Sequence, residues 1–240
     1  MVSSPTSVRY TYTPRRKIVW EEICRYLNRH YIGRDAAVLE LGCGYGDFIG
    51  NISAAQKTAI ERDENYKPYI EAYGGIDIRF GDSIKELKKI ESNKYNVVFC
   101  SNYFEHFTIG AVQRQLNMIA RILTQDGKLI VLQPNFSLCC EHYFDDWTHK
   151  TAFSDISFSD LLSDSGFFRV DKCIKGFMPF SIKSRLPVIR AIVRAYLWSG
   201  VKPFAAQFLI IASATARVNH ERVNHERAEH ERADQGGANH

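Results

Sequence analysis

The chain has 240 residues, 45% of them apolar and 24% charged, with a formal net charge of +4. That is enough for one α/β domain with a full core, in an ordinary globular balance. No long basic stripe accompanies the mild charge, which argues against a nucleic-acid partner, and six cysteines without a C-x-x-C pair fit a reduced, cytoplasmic protein better than a disulfide framework.

Residues 1–14 read as a flexible leader with no apolar run of the secretory kind. From Arg15 to about His30, Val19, Trp20, Ile23, Cys24 and Leu27 form one apolar stripe at helical spacing. Strands are then expected at 36–41 (AAVLEL), 57–61 (KTAIE), 76–80 (IDIRF) and 95–101 (YNVVFCS), with a short helix at 83–90. The nearly continuous apolar run of 95–101 is what a central parallel strand covered on both faces requires. Val112, Leu116, Ile119, Ala120 and Leu123 predict an amphipathic helix, and Asp126-Gly127 a turn before the strand 128–133. Ser157 and Asp160 are candidate caps for a helix running through Leu162 and ended by Gly166. Strand-like runs at 167–176 and 205–214 flank a helical segment at 187–199. Alternating strands and helices predict an α/β fold: a Rossmann-like, doubly wound, mostly parallel seven-stranded sheet with helices on both faces.

From Val218 the chain changes character. Three pentads (VNHER, VNHER, AEHER) and ADQGGANH carry almost no bulky apolar residue, so 217–240 reads as a solvated low-complexity tail. His220, His225 and His230 offer metal ligands there, against the plainer reading of a polar tail. The longest apolar stretch, about 204–216, is shorter than the roughly 20 residues of a spanning helix.

The strongest local signal is VLELGCGYGDF at 38–48: Glu40 near the end of a strand, then Gly42, Gly44 and Gly46. Glycines there let the backbone turn sharply and approach a ligand, with a helix N-terminus beyond. A dinucleotide fingerprint counted from Gly42 wants glycine at position 47. Asp47 stands there instead, and its charge disfavours a pyrophosphate. Downstream, Glu61 ends the second strand, Asp82 and Ser83 follow the third, and Ser101 and Asn102 open the segment CSNYFEHF after the fourth.

This order of E-x-G-x-G-x-G, Glu61, G-D-S and S-N-x-x-E-H resembles the class I S-adenosylmethionine-dependent methyltransferases over roughly residues 15–135. The resemblance implies S-adenosylmethionine as cofactor, a cation without phosphates, near which acids are tolerable or useful. It assigns Gly42, Gly44 and Gly46 to the methionine part, and counts Glu40, Cys43, Arg62 and Asn102 among the cofactor-binding residues. Glu61 goes to the ribose, Asp82 and Ser83 to the adenine, and the main chain near Ser101 to the sulfonium. Asn96 departs from an Asp that many relatives carry, a difference expected to be structural. Residues 15–216 would then be one catalytic domain, with acceptor-covering insertions at about 134–154 and 177–203.

The segment 133–154 (QPNFSLCCEHYFDDWTHKTAFS) is too long for a simple connection and dense in His, Asp and aromatics. Methyl transfer to oxygen or nitrogen usually needs a base for the acceptor proton. His149 is the first choice, by the ordinary pKa of imidazole, with Asp146 to orient it and Glu105 and His106 as rivals. His142, Asp145, Asp146 and His149 hint at a divalent metal, but no spacing matches a known pattern, and metal-free chemistry is expected. The run F-D-D-W-T-H-K-x-x-F-S, together with 177–187, resembles methyltransferases of bacterial polysaccharide or glycolipid biosynthesis. That implies a sugar or glycan acceptor, with Tyr143, Phe144 and Trp147 suited to stacking on a sugar ring. The basic amphipathic segment 183–198 could touch an anionic membrane, or simply pack on the sheet. Another small molecule or a protein as acceptor, and a non-catalytic Rossmann-like subunit, are the alternatives.

Overall fold

The computed structural model describes residues 12–179 and 188–215. The pentad tail, the first eleven residues and Lys183 and Arg185 of the basic segment lie outside the described residues. Five strands run parallel: β1 (Ala37–Leu41), β2 (Gln56–Glu61), β3 (Asp77–Phe80), β4 (Tyr95–Ser101) and β5 (Leu123–Pro134). β7 (Ala205–Ala214) is antiparallel between β5 and β6 (Phe168–Pro179). The seven strands lie in the order β3-β2-β1-β4-β5-β7-β6, so the winding reverses between β1 and β4. Ligands of such sheets bind outside the strand C-termini at that reversal.

Period-2 alternation sends neighbouring strand residues to opposite layers. Val38, Phe99 and Ile130 pack under α1 (Pro14–His30), α2 (Asp47–Asn51) and α8 (Arg190–Trp198), meeting Trp20, Leu27, Phe48, Val193 and Leu197. Leu39, Val98 and Leu129 face α4 (Ser83–Lys89), α5 (Ile109–Ile122) and α7 (Asp155–Asp164), meeting Leu87, Val112, Leu116 and Phe158. The short α3 (Lys67–Glu71) and α6 (Phe136–Tyr143) lie in the β2–β3 and β5–α7 connections.

Several expectations change. The helix α7 is capped by Ser154, not by Ser157 or Asp160; Ser157 is instead the reciprocal partner in a capping box. Asp126-Gly127 does turn, with Asp126 at φ 58°, but as an irregularity inside β5, which already pairs with β4 at Leu123. Asn96 is structural: its Oδ1 accepts from the Ala37 amide at 2.8 Å, pinning the start of β1 to β4. The end of the leader packs, since the Tyr12 amide donates to the Tyr45 hydroxyl and its ring meets Tyr45 and Tyr69. On α8, the half-exposed Arg190 and Arg194 pair with buried Glu22 of α1, Arg194 at 2.8 and 2.9 Å, and Arg190 also with Glu21. No helix among the described residues is long and apolar enough to cross a membrane.

Candidate active site

The strand C-termini open into a cavity of about 780 Å³, in the upper part of the roughly 300–1,000 Å³ range of small-molecule sites. Gly42, Gly44, Glu61, Arg62, Asp82 and Ser83 line it from the β1–β3 half of the sheet. Glu105, His106, Asp146 and His149 line it from the β4–β5 half, and Ser101 and Asn102 belong to the wall as well.

On the first side, Gly42 and Gly44 hold φ of 69° and 51°, a region that side chains disfavour. A Cβ on Gly42 would sit 2.7 Å from Cδ2 of Tyr103, so the loop can lie against that ring only as glycine. Glu61 organises the mouth of β1: its Oε2 accepts from the Gly44 amide at 2.8 Å, its Oε1 from the Arg62 and Asp63 amides. Asp82 caps α4 through the Lys85 amide at 3.1 Å. The Ser83 hydroxyl is engaged by the Tyr103 hydroxyl, which also contacts Gln115.

Three residues expected at the ligand take structural places in and beside the loop. Glu40 is buried and accepts from the Ile49 amide of α2 at 3.0 Å; burial, with the Asp47 and Glu61 charges adding, pushes its pKa well above the carboxylate range. Cys43 packs in the core with Phe48, and Gly46 caps α2. None of the three lines the cavity. The charge argument from Asp47 also changes, because its carboxylate is buried against Arg16 and is not presented alone to a ligand.

The second side is built from the one-turn helix Phe104–His106 after β4 and from the loop that follows α6. The Glu105 carbonyl accepts from the amides of Lys150 (2.7 Å) and Thr151 (3.2 Å), and the Thr151 hydroxyl donates to the Phe107 carbonyl. These bonds stitch the two segments together. Asp146 accepts from the Thr148 amide (3.0 Å) and hydroxyl (2.6 Å); the same hydroxyl oxygen lies 3.0 Å from His106 Nδ1. Burial pushes Asp146 up, but the Thr148 hydrogen bonds and the nearby His149 and His106 outweigh it, leaving its pKa below the ordinary value. A hydroxyl has one proton, and Thr148 gives it to the carboxylate. His106 Nδ1 must therefore donate, which leaves the lone pair on Nε2. Burial lowers the His106 pKa, with His149 adding to the effect.

Glu105 is fully buried, and neither carboxylate oxygen makes a hydrogen bond. Burial pushes its pKa up to about 8, with Asp146 adding; the nearby Glu105 and Tyr103 amides offset part of this without closing to hydrogen-bonding geometry. The His149 ring lies 5.1 Å from His106 and 4.8 Å from Tyr143. All four expected catalytic residues thus meet on one wall. His142 and Asp145 do not: they form an exposed pair at 3.3 Å away from the cavity lining. Tyr143 is wholly buried, its hydroxyl on the Thr151 carbonyl, whereas Phe144 and Trp147 are exposed.

The sequence reading missed Arg16, Trp20, Tyr103, Met178 and Gln207 on the cavity wall. Gln207 donates to Asn102 Oδ1 at 2.8 Å, and Asn102 stands at φ 46°. A lone amide in the otherwise apolar run of β7 was the available signal.

Comparison with known proteins agrees with this geometry. Residues 15–167 match the family model described as a methyltransferase domain. An uncharacterized protein of Methanocaldococcus jannaschii is 31% identical over 211 residues, covering 81% of this chain and 85% of that one. A SAM-dependent methyltransferase of Archaeoglobus fulgidus superposes with a TM-score of 0.59 at 18% identity, covering 81% of this chain and 94% of its own. An S-adenosylmethionine-dependent methyltransferase of Mesorhizobium loti gives 0.55 at 13%, covering 80% and 96%. At those identities the two structures share the fold.

Proposed function

The chain belongs to the methyltransferase domain family, and on that premise we propose that it uses S-adenosylmethionine to methylate a hydroxyl of a sugar or glycan. The observation that carries the reading is one cavity with two unlike walls. The glycine loop with Glu61 and Asp82 forms one, and the cluster of Glu105, His106, Asp146 and His149 the other.

The residues fit the cofactor. Gly42 and Gly44, at positive φ, present a loop without side chains to the cavity, with Gly42 packed against the Tyr103 ring. Glu61 and Asp82 bring carboxylates suited to ribose hydroxyls and an adenine amine, and Ser101 and Asn102 lie at the mouth of β4. When bound, the cofactor supplies an electrophilic methyl group on a sulfonium. The chain's own part is to hold the acceptor oxygen in line and handle its proton. Orientation of two bound reactants can supply several kcal/mol of barrier reduction, and a positioned base a further factor of roughly 10²–10⁴. The wall bearing His106 and His149 is where that proton would be handled. Exposed Phe144 and Trp147 lie on the same connection as His149 and offer apolar faces to a sugar ring.

The test is methyl transfer from isotopically labelled cofactor to a panel of free, nucleotide-linked and lipid-linked sugars, with the product located by NMR. Label in an O-methyl ether supports the proposal. Label only on an amine, or no cofactor binding by calorimetry, overturns it.

A further inference from the structure

We propose that Glu105, His106 and His149 form a binding site for one divalent first-row transition-metal cation on the acceptor side of the cavity. One ligating atom from each residue lies within 4.8 Å of the other two, close enough for a single ion between them to be reached by modest side-chain movement. All three residues line the cavity, so positions of the ion left open by the protein are available to a ligand entering it.

Glu105 supplies the second, independent observation. Its side chain is fully buried, both oxygens lack a hydrogen bond, and no ion pair to it occurs among the described residues. Burying a polar group without partners is costly, and such a group is kept where something outside the chain completes it. A cation does so directly.

His106 is prepared for the same task. Its Nδ1 is bound to the Thr148 hydroxyl, which is bound in turn to Asp146, so Nε2 carries the lone pair. A ligating histidine whose other ring nitrogen is anchored through a hydrogen bond toward a carboxylate is a recurrent second layer of metal sites. Two imidazoles with one carboxylate and open positions suit the manganese-to-zinc series better than calcium or magnesium, which take oxygen ligands. The ligands come from two segments far apart in the chain, joined by the Glu105 carbonyl, Thr151–Phe107 and His106–Thr148 bonds, so no local spacing announces them.

The inference deepens the hydroxyl-transfer reading and rests on it for the ion's role. An ion here would bind the acceptor oxygen and ease loss of its proton. Its binding can be tested without turnover. The sample is the full chain with His220, His225, His230 and His240 replaced by Asn, which removes competing tail ligands. Manganese is titrated and followed by the electron paramagnetic resonance of the free ion. The expected result is one tightly held ion per chain, weakened at least tenfold by Glu105→Gln, by His106→Ala and by His149→Ala. A Co²⁺ visible absorption band should fade in the same variants.

No bound ion in the parent, or equal binding in all three variants, overturns the site. Should Glu105→Gln fail to fold by circular dichroism, the two histidine variants decide. Calorimetry with S-adenosylmethionine on the same samples separates the two ideas: cofactor binding without an ion removes the metal site and leaves the methyltransferase. Ion binding without cofactor does the reverse.

Discussion

Nε and Nη2 of Arg16 close on a single carboxylate oxygen of Asp47, at 2.9 and 2.7 Å, and join the first turn of α1 to the first residue of α2. Both side chains are almost wholly buried, and Arg16 also lines the cavity. The first helix is thereby locked to the helix that follows the glycine loop, and the back of the ligand site becomes one rigid piece.

Breaking that pair from one side leaves a buried charge without its counterpart, at a cost of about 3–5 kcal/mol. Asp47→Asn should lower stability by that amount in urea unfolding. The double variant Arg16→Met/Asp47→Leu should recover most of it, since well-packed apolar pairs often match a buried ion pair. A loss below about 1 kcal/mol in the single variant would show that solvent screens the pair.

Gly44→Val should weaken S-adenosylmethionine binding at least tenfold in calorimetry, because a β-branched residue resists φ of 51°. NADH should not bind the parent protein. Tight NADH binding with no cofactor signal would contradict the assignment of the cavity.

Replacing His149 by Ala should leave cofactor affinity within a few-fold, since the glycine loop and Glu61 lie in the other half of the sheet. Turnover on the hydroxyl acceptor should fall by roughly 10²–10⁴. Unchanged turnover here, with a collapse in Glu105→Gln, would move the essential chemistry to the β4 side of the wall.

Glu22 gives an acid-stability prediction. Its hydrogen bonds to Arg194, with the charges of Arg194, Arg25 and Arg190, hold its pKa below the ordinary 4.5 against the cost of burial. A carboxylate with a lowered folded-state pKa contributes stability above the unfolded value. That contribution is lost as pH falls from 4.5 through the lowered value. Glu22→Gln should therefore be less stable at neutral pH, and the gap to the parent should shrink in acid. A constant gap from pH 7 to pH 3 would refute the linkage.

Apolar runs located the strands, most clearly the central parallel ones buried on both faces, such as β4, which is apolar but for Asn96 and Ser101. The glycine loop, Glu61 and Asp82 were legible for a related reason: they sit at fixed offsets after strand ends. What stayed hidden depends on long-range contact. Asp47 looked like a free charge because Arg16 lies a whole helix away. Glu40 looked like a ligand contact because nothing local reveals that its carboxylate turns back to the Ile49 amide. Gln207 reaches Asn102 only once β7 is inserted beside β5, and the partnering of Glu105, His106 and His149 needs two distant loops to meet.

The two amides held by the Glu105 carbonyl fix how this site can change over evolutionary time. The loop carrying His149 is an extension of β4 in all but covalent connection, so it cannot drift without disturbing the strand that ends at the reacting centre. New acceptors would be accommodated at the rim, where Phe144 and Trp147 stand exposed and substitutions cost the core nothing. The chemistry would be inherited as a block while the choice of substrate is rewritten around it. Relatives of this chain should accordingly vary at those aromatic positions well before they vary at Thr151, whose hydroxyl also holds the Phe107 carbonyl, and should not carry proline at 150 or 151.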